Sequence, residues 1–432
     1  MKQYMEQQKN LHKTRFFSVI TNFFILCSFL FLCVSCKESN QVVLWTDRQE
    51  FVSYAELFNA SQENYKVIVI YKNNPSEAFP PAKDELTPDV VVGPWLKNEK
   101  TRKNFTSLNH LFSEMQINPA ALYPQLLTAG NIDDKQYLLP ISFNLPTIVF
   151  SKSTKKNTQD NYLISLEEIK NNSKEMNKKN KSKIYTSMGF APRWDAEFLY
   201  TVSKIKGVEF KETKEGISWD KAKLEETVQF LRQWTLENNT SSKDEEDYAF
   251  KYLYTTEIAQ INQNLCHLAF IPSNDFFTLS PEKLLNVDYR WLHEDSKIPV
   301  LDKIISLGMY KKAKNSRGAE AFIVWLLKES TQKLLLERAE EMKLNISTFG
   351  IAGGFSSLRK VNEQIFPIYY PILMQNLPIA DYLSIPQILP QRWDSLKTRV
   401  IQPYLLDATN TEKEHPSQSL EEMLANWQKQ YF

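Results

Sequence analysis

The hydrophobic pattern of the N-terminal third alternates between the period of a strand and the period of a helix. Apolar, β-branched runs predict strands at Val42–Leu44, Lys66–Tyr71 and Asp89–Val92. Between the first two, residues 51–58 repeat aromatic and leucine side chains at helical spacing. Strands that alternate with helices form βαβ units, so the pattern predicts an α/β fold with mostly parallel sheets.

The stretch from Tyr137 to Lys152 changes character midway. Ser142 and Asn144 interrupt an apolar, β-rich sequence that resumes at residues 147–150. We interpret this stretch as a strand that leaves one lobe and enters another. Ser142, Phe143 and Asn144 would then lie where the lobes meet and face a ligand.

Two later segments extend this interpretation. Ile304–Tyr310 is an apolar strand pattern that returns to the first lobe, and Ser347–Ser356 holds three of the ten glycines. We predict that both cross between the lobes, which makes a three-segment hinge. The predicted organisation is a signal peptide at 1–35, a tether at 36–40, the first lobe at 41–145 and 304–347, and the second lobe at 146–303 and 348–432.

The N-terminus predicts export. A basic segment leads into an uncharged run from Phe16 to Ser35, as in a secretory signal. The run ends in Val34, Ser35 and Cys36, which resembles a bacterial lipoprotein signal, and this implies lipidation of Cys36. An uncleaved membrane anchor is the alternative, because the run is long enough to span a bilayer. Either way, the bulk of the chain is expected in the cell envelope, outside the inner membrane.

Composition narrows the class of function. With 432 residues, two domains or lobes are expected. The formal charge of +1 and the mixing of lysines with acids argue against nucleic acid as a partner. Apart from three N-terminal cysteines, Cys266 is alone, so no internal disulfide is expected. Its position before an apolar strand favours a buried thiol over a nucleophile.

The order of these segments resembles a known family. The residues that carry the resemblance are Trp45-Thr46-Asp47, the strand 66–71, the segment TPDVVVGPWL at 87–96, QYLLP at 136–140, LCHLAFIPSNDFF at 265–277 and IISLGMY at 304–310. They resemble extracellular solute-binding proteins of bacterial ABC importers, in the sugar-binding branch that includes maltose-binding protein. The resemblance implies a two-lobed periplasmic-binding-protein fold of type II. It also implies a monomer with a carbohydrate ligand, permease subunits as partners, and no cofactor.

A sugar ligand would call for aromatic faces and planar polar groups, since C–H faces of a sugar stack on rings while its hydroxyls need hydrogen-bond partners. In a parallel sheet such groups are expected just beyond the carboxyl ends of strands. The predicted ligand-binding residues are Trp45, Asp47, Arg48, Trp95, Phe143, Asn144, Arg193, Trp194, Asn274, Asp275, Phe276 and Trp291.

Alternative functions remain open at the level of sequence. A surface lipoprotein that acts as a sensor or adhesin would use the same fold without a transporter. Motifs of metalloproteases and serine hydrolases are absent, and histidines lie far apart, so we expect no enzyme activity and no metal. A glycoside hydrolase is the remaining enzymatic alternative, because its two acids need no sequence motif.

Overall fold

The computed structural model describes residues 40–153 and 162–431. The predicted signal peptide, the lipidated Cys36 and all but the last residue of the predicted tether lie outside the described residues. Among the described helices, none is long and apolar enough to cross a membrane.

A mixed sheet of six strands forms the centre of the first lobe. Its strands are β1 (Gln41–Thr46), β2 (Lys66–Tyr71), β3 (Val90–Gly93), β4 (Leu139–Phe143), β9 (Ile305–Met309) and β10 (Phe355–Ser356), and their spatial order is β10-β4-β9-β3-β1-β2. β1 pairs in parallel with β2 and β3, whereas β9 pairs antiparallel with β3 and β4. β1, β2, β3 and β4 therefore point the same way, and their carboxyl ends share one edge.

A sheet of four strands forms the centre of the second lobe. Its strands are β5 (Pro146–Ser151), β6 (Leu163–Ser165), β7 (Leu268–Pro272) and β8 (Val287–His293), in the spatial order β7-β5-β8-β6. Only β8 and β6 pair in parallel; β7 and β8 flank β5 antiparallel. Pro272 lies opposite Pro146, so the end of β7 and the start of β5 lie at the edge that faces the first lobe.

Helices cover both sheets. The longer ones are Glu50–Ser61, Leu166–Glu175, Ala196–Ile205, Lys221–Trp234, Ser242–Lys251, Ser316–Leu326, Glu329–Glu341 and Leu420–Tyr431. The shorter ones are Glu99–Arg102, Asn109–Ser113, Pro124–Ala129, Glu257–Asn262, Ser273–Phe276, Pro281–Leu284, Phe366–Tyr369, Trp393–Leu396 and Gln402–Ala408. Side-chain caps stabilise the first turns of several helices. At the N-terminus of Leu166–Glu175, Ser165 and Glu168 form a capping box.

Small two-stranded pairs complete the described strands. They are Asn131–Ile132 with Lys135–Gln136, Lys178–Lys179 with Tyr185–Ser187, Phe210–Thr213 with Gly216–Trp219, and Ile298–Pro299 with Leu383–Ser384. The last pair is parallel and lies where the chain passes between the lobes.

The chain passes between the lobes three times. Asn144 and Leu145 join β4 of the first sheet to β5 of the second, which is where the sequence predicts a strand that changes lobe. Residues 294–304 return from β8 to β9. A third passage follows β10 and leads, through Leu383–Ser384, to Trp393, whose side chain packs in the core of the second lobe.

Two details of the predicted fold are corrected. The sheets are mixed rather than mostly parallel: β9, which returns from the second lobe, and the edge strand β10 are antiparallel to their neighbours in the first sheet, and β5 is antiparallel to both of its neighbours in the second. Ser347–Ser356 is not a crossing: its last two residues are β10, an edge strand of the first sheet. The first lobe therefore extends beyond residue 347: Leu358 forms a β-bridge with Leu122, and Asn362 donates to the hydroxyl of Tyr123.

Candidate functional site

The shared edge of the first sheet carries the polar groups that face the second lobe. Asp47 follows β1, Trp95 follows β3 and Asn144 follows β4. The turn that leads into β10 brings Gly353 to the same edge, because Phe355 lies opposite Phe143. The carboxyl ends of several strands thus collect side chains that are distant in sequence, as expected for an α/β ligand site.

Asp47 and Arg48 form a two-point ion pair on this edge. Nε and Nη2 of Arg48 donate to the two carboxylate oxygens of Asp47 at 3.0 and 2.7 Å. Burial lowers the pKa of Arg48, but the hydrogen bond to Asp47 and the negative charges of Asp47 and Glu50 together outweigh burial, so the pKa is raised. Burial raises the pKa of the neighbouring Glu50, and the positive charge of Arg48 opposes this rise. These two predicted ligand-binding residues thus lie at this edge, where each already bonds to the other.

Asn144 links this edge to the second lobe. Its Nδ2 donates to the carbonyl of Gly353 at 2.8 Å, and its Oδ1 accepts from the hydroxyl of Ser273 at 2.8 Å. Ser273 also accepts from the backbone N–H of Leu145 at 3.0 Å. One amide side chain therefore bridges a turn of the first lobe and the first helical residue after β7.

Glycine is required in the turn that meets Asn144. Gly353 has a φ of +78°, which L side chains rarely adopt. A Cβ on Gly354 would lie 2.6 Å from the carbonyl oxygen of Phe143. The glycines of this segment were predicted to allow backbone rotation at a crossing between the lobes. They instead allow the turn to pack closely against the end of β4.

Four of the predicted ligand-binding aromatics lie in the cores, which corrects their assignment. Trp45, Phe143, Phe276 and Trp291 are fully buried. Trp45 lies between Phe79, with centroids 5.9 Å apart, and Lys72, whose ammonium lies 4.3 Å from the ring centroid. The others pack among aromatic side chains of the main core. Period-two alternation directs Trp45, Phe143 and Trp291 into the sheet faces, whereas Phe276 packs from the short helix Ser273–Phe276.

Trp95 differs from Trp45 in exposure and direction. It is only partly buried, has a φ of +64° and packs against the core of the second lobe although it belongs to the first. It also lines a cavity of about 60 Å³ with Leu138, Ile304 and Leu389. Trp95 is therefore an aromatic contact between the lobes, close to the predicted ligand position.

A groove next to Trp95 separates the lobes. It has a volume of about 440 Å³ and is lined by Lys97, Glu99 and Arg102 of the first lobe, Lys211 and Glu212 of the second, and residues 387–389 of the third passage. The sequence interpretation missed these charged residues. For Lys97, Glu99 and Arg102, the position shortly after the carboxyl end of β3 was the available signal of a place near the ligand.

Arg193 and Trp194 are held within the second lobe. Arg193 donates to Thr409 at 3.0 Å, to Glu246 at 2.6 Å and to the carbonyl of Leu406. Trp194 stacks on Tyr248, with centroids 5.8 Å apart, and donates its indole N–H to the carbonyl of Glu245. The Arg193 side chain is nearly buried, which leaves this guanidinium little surface for a ligand.

Asn274 and Asp275 follow β7 and hydrogen-bond to each other at 2.7 Å. Asp275 is exposed, and both residues adjoin Ser273 in the link to Asn144. Of the predicted site, Asp47, Arg48, Trp95, Asn144, Asn274 and Asp275 lie at or next to the facing edges of the two lobes. Within the described residues, no cluster of three metal-ligating side chains is found.

Two lobes, three passages between them and a groove along the facing edges define a two-lobed binding protein. The family model of the bacterial extracellular solute-binding proteins matches residues 53–340. The chain belongs to this family. Among curated proteins, no relative was found.

Solved structures show the same fold at low sequence identity. An ABC substrate-binding protein from Listeria monocytogenes, in complex with cycloalternan, is 11% identical with a TM-score of 0.59, over 90% of this chain and 98% of that chain. The maltose-maltodextrin binding protein of Alicyclobacillus acidocaldarius is 14% identical, with a TM-score of 0.54 over 90% and 100% of the two chains. The cyclic alpha-maltosyl-1,6-maltose binding protein from Arthrobacter globiformis is 14% identical, with a TM-score of 0.56 over 89% and 96%.

Proposed function

We propose that this protein is an exported, lipid-anchored receptor that binds a carbohydrate between its lobes and delivers it to an ABC importer. The observation that carries the proposal is the hinge at Asn144, whose amide bonds to both lobes. A groove lined from both lobes offers room for a ligand. The structural neighbours, one in complex with cycloalternan and one a maltose-maltodextrin binding protein, support a saccharide as the ligand class.

The mechanism is differential binding. A ligand that contacts both lobes stabilises the closed arrangement and shifts the open–closed balance toward it. The permease subunits then recognise the closed shape. We infer that the protein acts as a monomer and leaves its ligand chemically unchanged.

A glycan library tests the ligand class. The expected result is a rise in melting temperature with a subset of saccharides, because a ligand that binds only the native state stabilises it. Small-angle scattering of the same complexes should show a smaller radius of gyration. Binding without compaction would exclude hinge closure, and no response to any saccharide would exclude a carbohydrate ligand. Recovery of a degraded saccharide after long incubation would instead indicate a glycoside hydrolase.

Fractionation tests the anchor. The full-length protein should enter the membrane fraction and be released by detergent, and Cys36→Ala should abolish lipid incorporation. Two or more acyl chains hold a protein firmly at a membrane, so the wild-type chain should resist extraction with salt. A Cys36→Ala variant that still carries lipid would contradict the assignment of Cys36.

A further inference from the structure

Within the described part of the chain, two cations in the groove between the lobes have no acidic partner. Lys97 and Arg102 both line the groove, and both side chains are partly buried. Neither makes an ion pair or a side-chain hydrogen bond with any residue that the structure describes. Partly buried charges without a partner are costly in a folded protein, so their presence beside a cleft indicates a ligand.

The acids of the groove are engaged elsewhere. Glu99 lies 3.6 Å from Lys103, and a carboxylate oxygen of Glu212 accepts from the backbone N–H of Gln391 at 2.9 Å. The third cation, Lys211, is paired with Glu209 at 2.8 Å. The groove lining thus carries three cations and two carboxylates, and its excess of positive charge lies on the first-lobe side, at Lys97 and Arg102.

The two cations also act on each other. Burial lowers the pKa of Lys97, and the charge of Arg102 lowers it further. Like charges held near one another in a partly desolvated groove are relieved by an anion between them. The groove volume of about 440 Å³ is in the range of small-ligand sites.

We propose that this groove selects an acidic saccharide, whose carboxylate or sulfate group binds to Lys97 and Arg102. The inference rests on the proposed carbohydrate-binding function and names the ligand class within it. Arg102 can hold a planar carboxylate with two parallel hydrogen bonds, while Lys97 contributes a point charge. A neutral saccharide of equal length would leave both cations unpaired.

Calorimetry with matched ligands tests this selection. The ligands are an oligogalacturonide, a sulfated oligosaccharide, a neutral oligosaccharide of the same length, and inorganic sulfate. We expect at least one acidic saccharide to bind about tenfold or more tightly than the neutral one, since a hydrogen bond to a charged group is worth more than a neutral one. This preference should shrink as ionic strength rises.

Variants assign the preference to the two cations. Lys97→Gln and Arg102→Gln should each lower affinity for the acidic saccharide by about tenfold, and by less for the neutral one. Lys100→Gln is the control, because Lys100 is exposed, lies on the same short helix Glu99–Arg102 and does not line the groove. It should leave both affinities unchanged, and thermal unfolding checks that all three variants fold.

The outcomes separate this inference from the proposed function. Equal affinity for acidic and neutral saccharides would overturn the inference and leave a carbohydrate receptor. Tight binding of inorganic sulfate, without a preference for acidic over neutral saccharides, would also overturn the inference, because the two cations would then form a simple anion site. No binding of any saccharide would contradict the proposed function itself.

Discussion

The hydroxyl of Ser273 donates to Oδ1 of Asn144 at 2.8 Å and so connects the start of a second-lobe helix to the residue where the chain leaves the first lobe. The other end of the same amide donates to the carbonyl of Gly353. Asn144 thus uses both of its polar atoms between the lobes, and the angle between the lobes depends on this side chain.

Replacement of Asn144 by Ala should loosen the hinge. Two hydrogen bonds are lost, each worth about 0.5–1.5 kcal/mol, so ligand affinity should fall about tenfold with a broader distribution of open and closed forms. Ser142→Ala is the control, because Ser142 donates to the carbonyl of Ala352 within the first lobe. Calorimetry and small-angle scattering measure both effects, and equal changes in the two variants would show that Asn144 has no hinge role.

The ion pair between Glu77 and Arg392 should favour the closed arrangement. Glu77 follows β2 in the first lobe, and Arg392 precedes the helix Trp393–Leu396, which packs on the second; Nε and Oε2 lie 3.4 Å apart. Because both side chains are about 30% exposed, the pair is worth at most about 1 kcal/mol. Glu77→Gln should therefore weaken ligand affinity by up to about fivefold and increase the radius of gyration of the complex.

A pair within one lobe provides the control for Glu77. Glu56 and Arg338 lie 2.7 Å apart at the surface of the first lobe. Glu56→Gln removes a comparable charge pair without touching the second lobe, so affinity and compaction should stay as in the wild type. A Glu77→Gln variant that behaves like Glu56→Gln would exclude a contribution to closure.

Trp45 and Trp95 should respond to truncation in opposite ways. Trp45→Ala removes a fully buried ring and should cost about 3–5 kcal/mol of unfolding free energy. Trp95→Ala removes a partly exposed ring between the lobes and should weaken ligand binding more than tenfold, with a smaller loss of stability. Denaturant unfolding and calorimetry separate the two effects. Unchanged affinity in folded Trp95→Ala would place Trp95 among the purely structural residues.

Glu245 should make the second lobe less stable in alkaline solution. Burial raises the pKa of this carboxyl to about 7, although hydrogen bonds from Asn239 and Thr235 and the charge of Arg193 oppose the shift. The folded state thus binds the proton more tightly than the unfolded state. Its contribution to stability is complete below the unfolded pKa and is lost as pH rises through about 7.

Glu245→Gln tests this effect. The amide keeps an acceptor for Asn239 and carries no charge, so the variant should be more stable than the wild type at pH values above about 8, by at most about 3 kcal/mol. Melting temperatures across the range from about pH 5 to about pH 9 measure it. A wild type and variant with parallel pH profiles would show that Glu245 does not titrate there. Asp247→Asn is the exposed control, because Asp247 pairs with Lys243 at the surface, and it should leave the profile unchanged.

Much of the fold follows from local patterns. Period-two runs and helical repeats predict β1, β2, β3 and the helix Glu50–Ser61, because short-range alternation determines which face of each element is buried. The polar interruption before Thr147 correctly marks the change of lobe, since a strand that ends one core and begins another must carry polar groups between them. The capping box at Ser165 needs only neighbouring residues and is also present.

The sequence by itself determined that two α/β lobes are joined near Asn144, and it named polar residues at the facing edges. Only the tertiary structure decided which aromatics are accessible: Trp45 and Trp95 each lie near the end of a strand, yet one is covered by Phe79 and the other meets the second lobe. It also decided that Lys97 and Arg102 have no ion-pair partner among the residues that the structure describes, while Lys103 has one. Strand direction, ring burial and charge pairing depend on residues that are distant in the chain, and local periodicity carries no information about them.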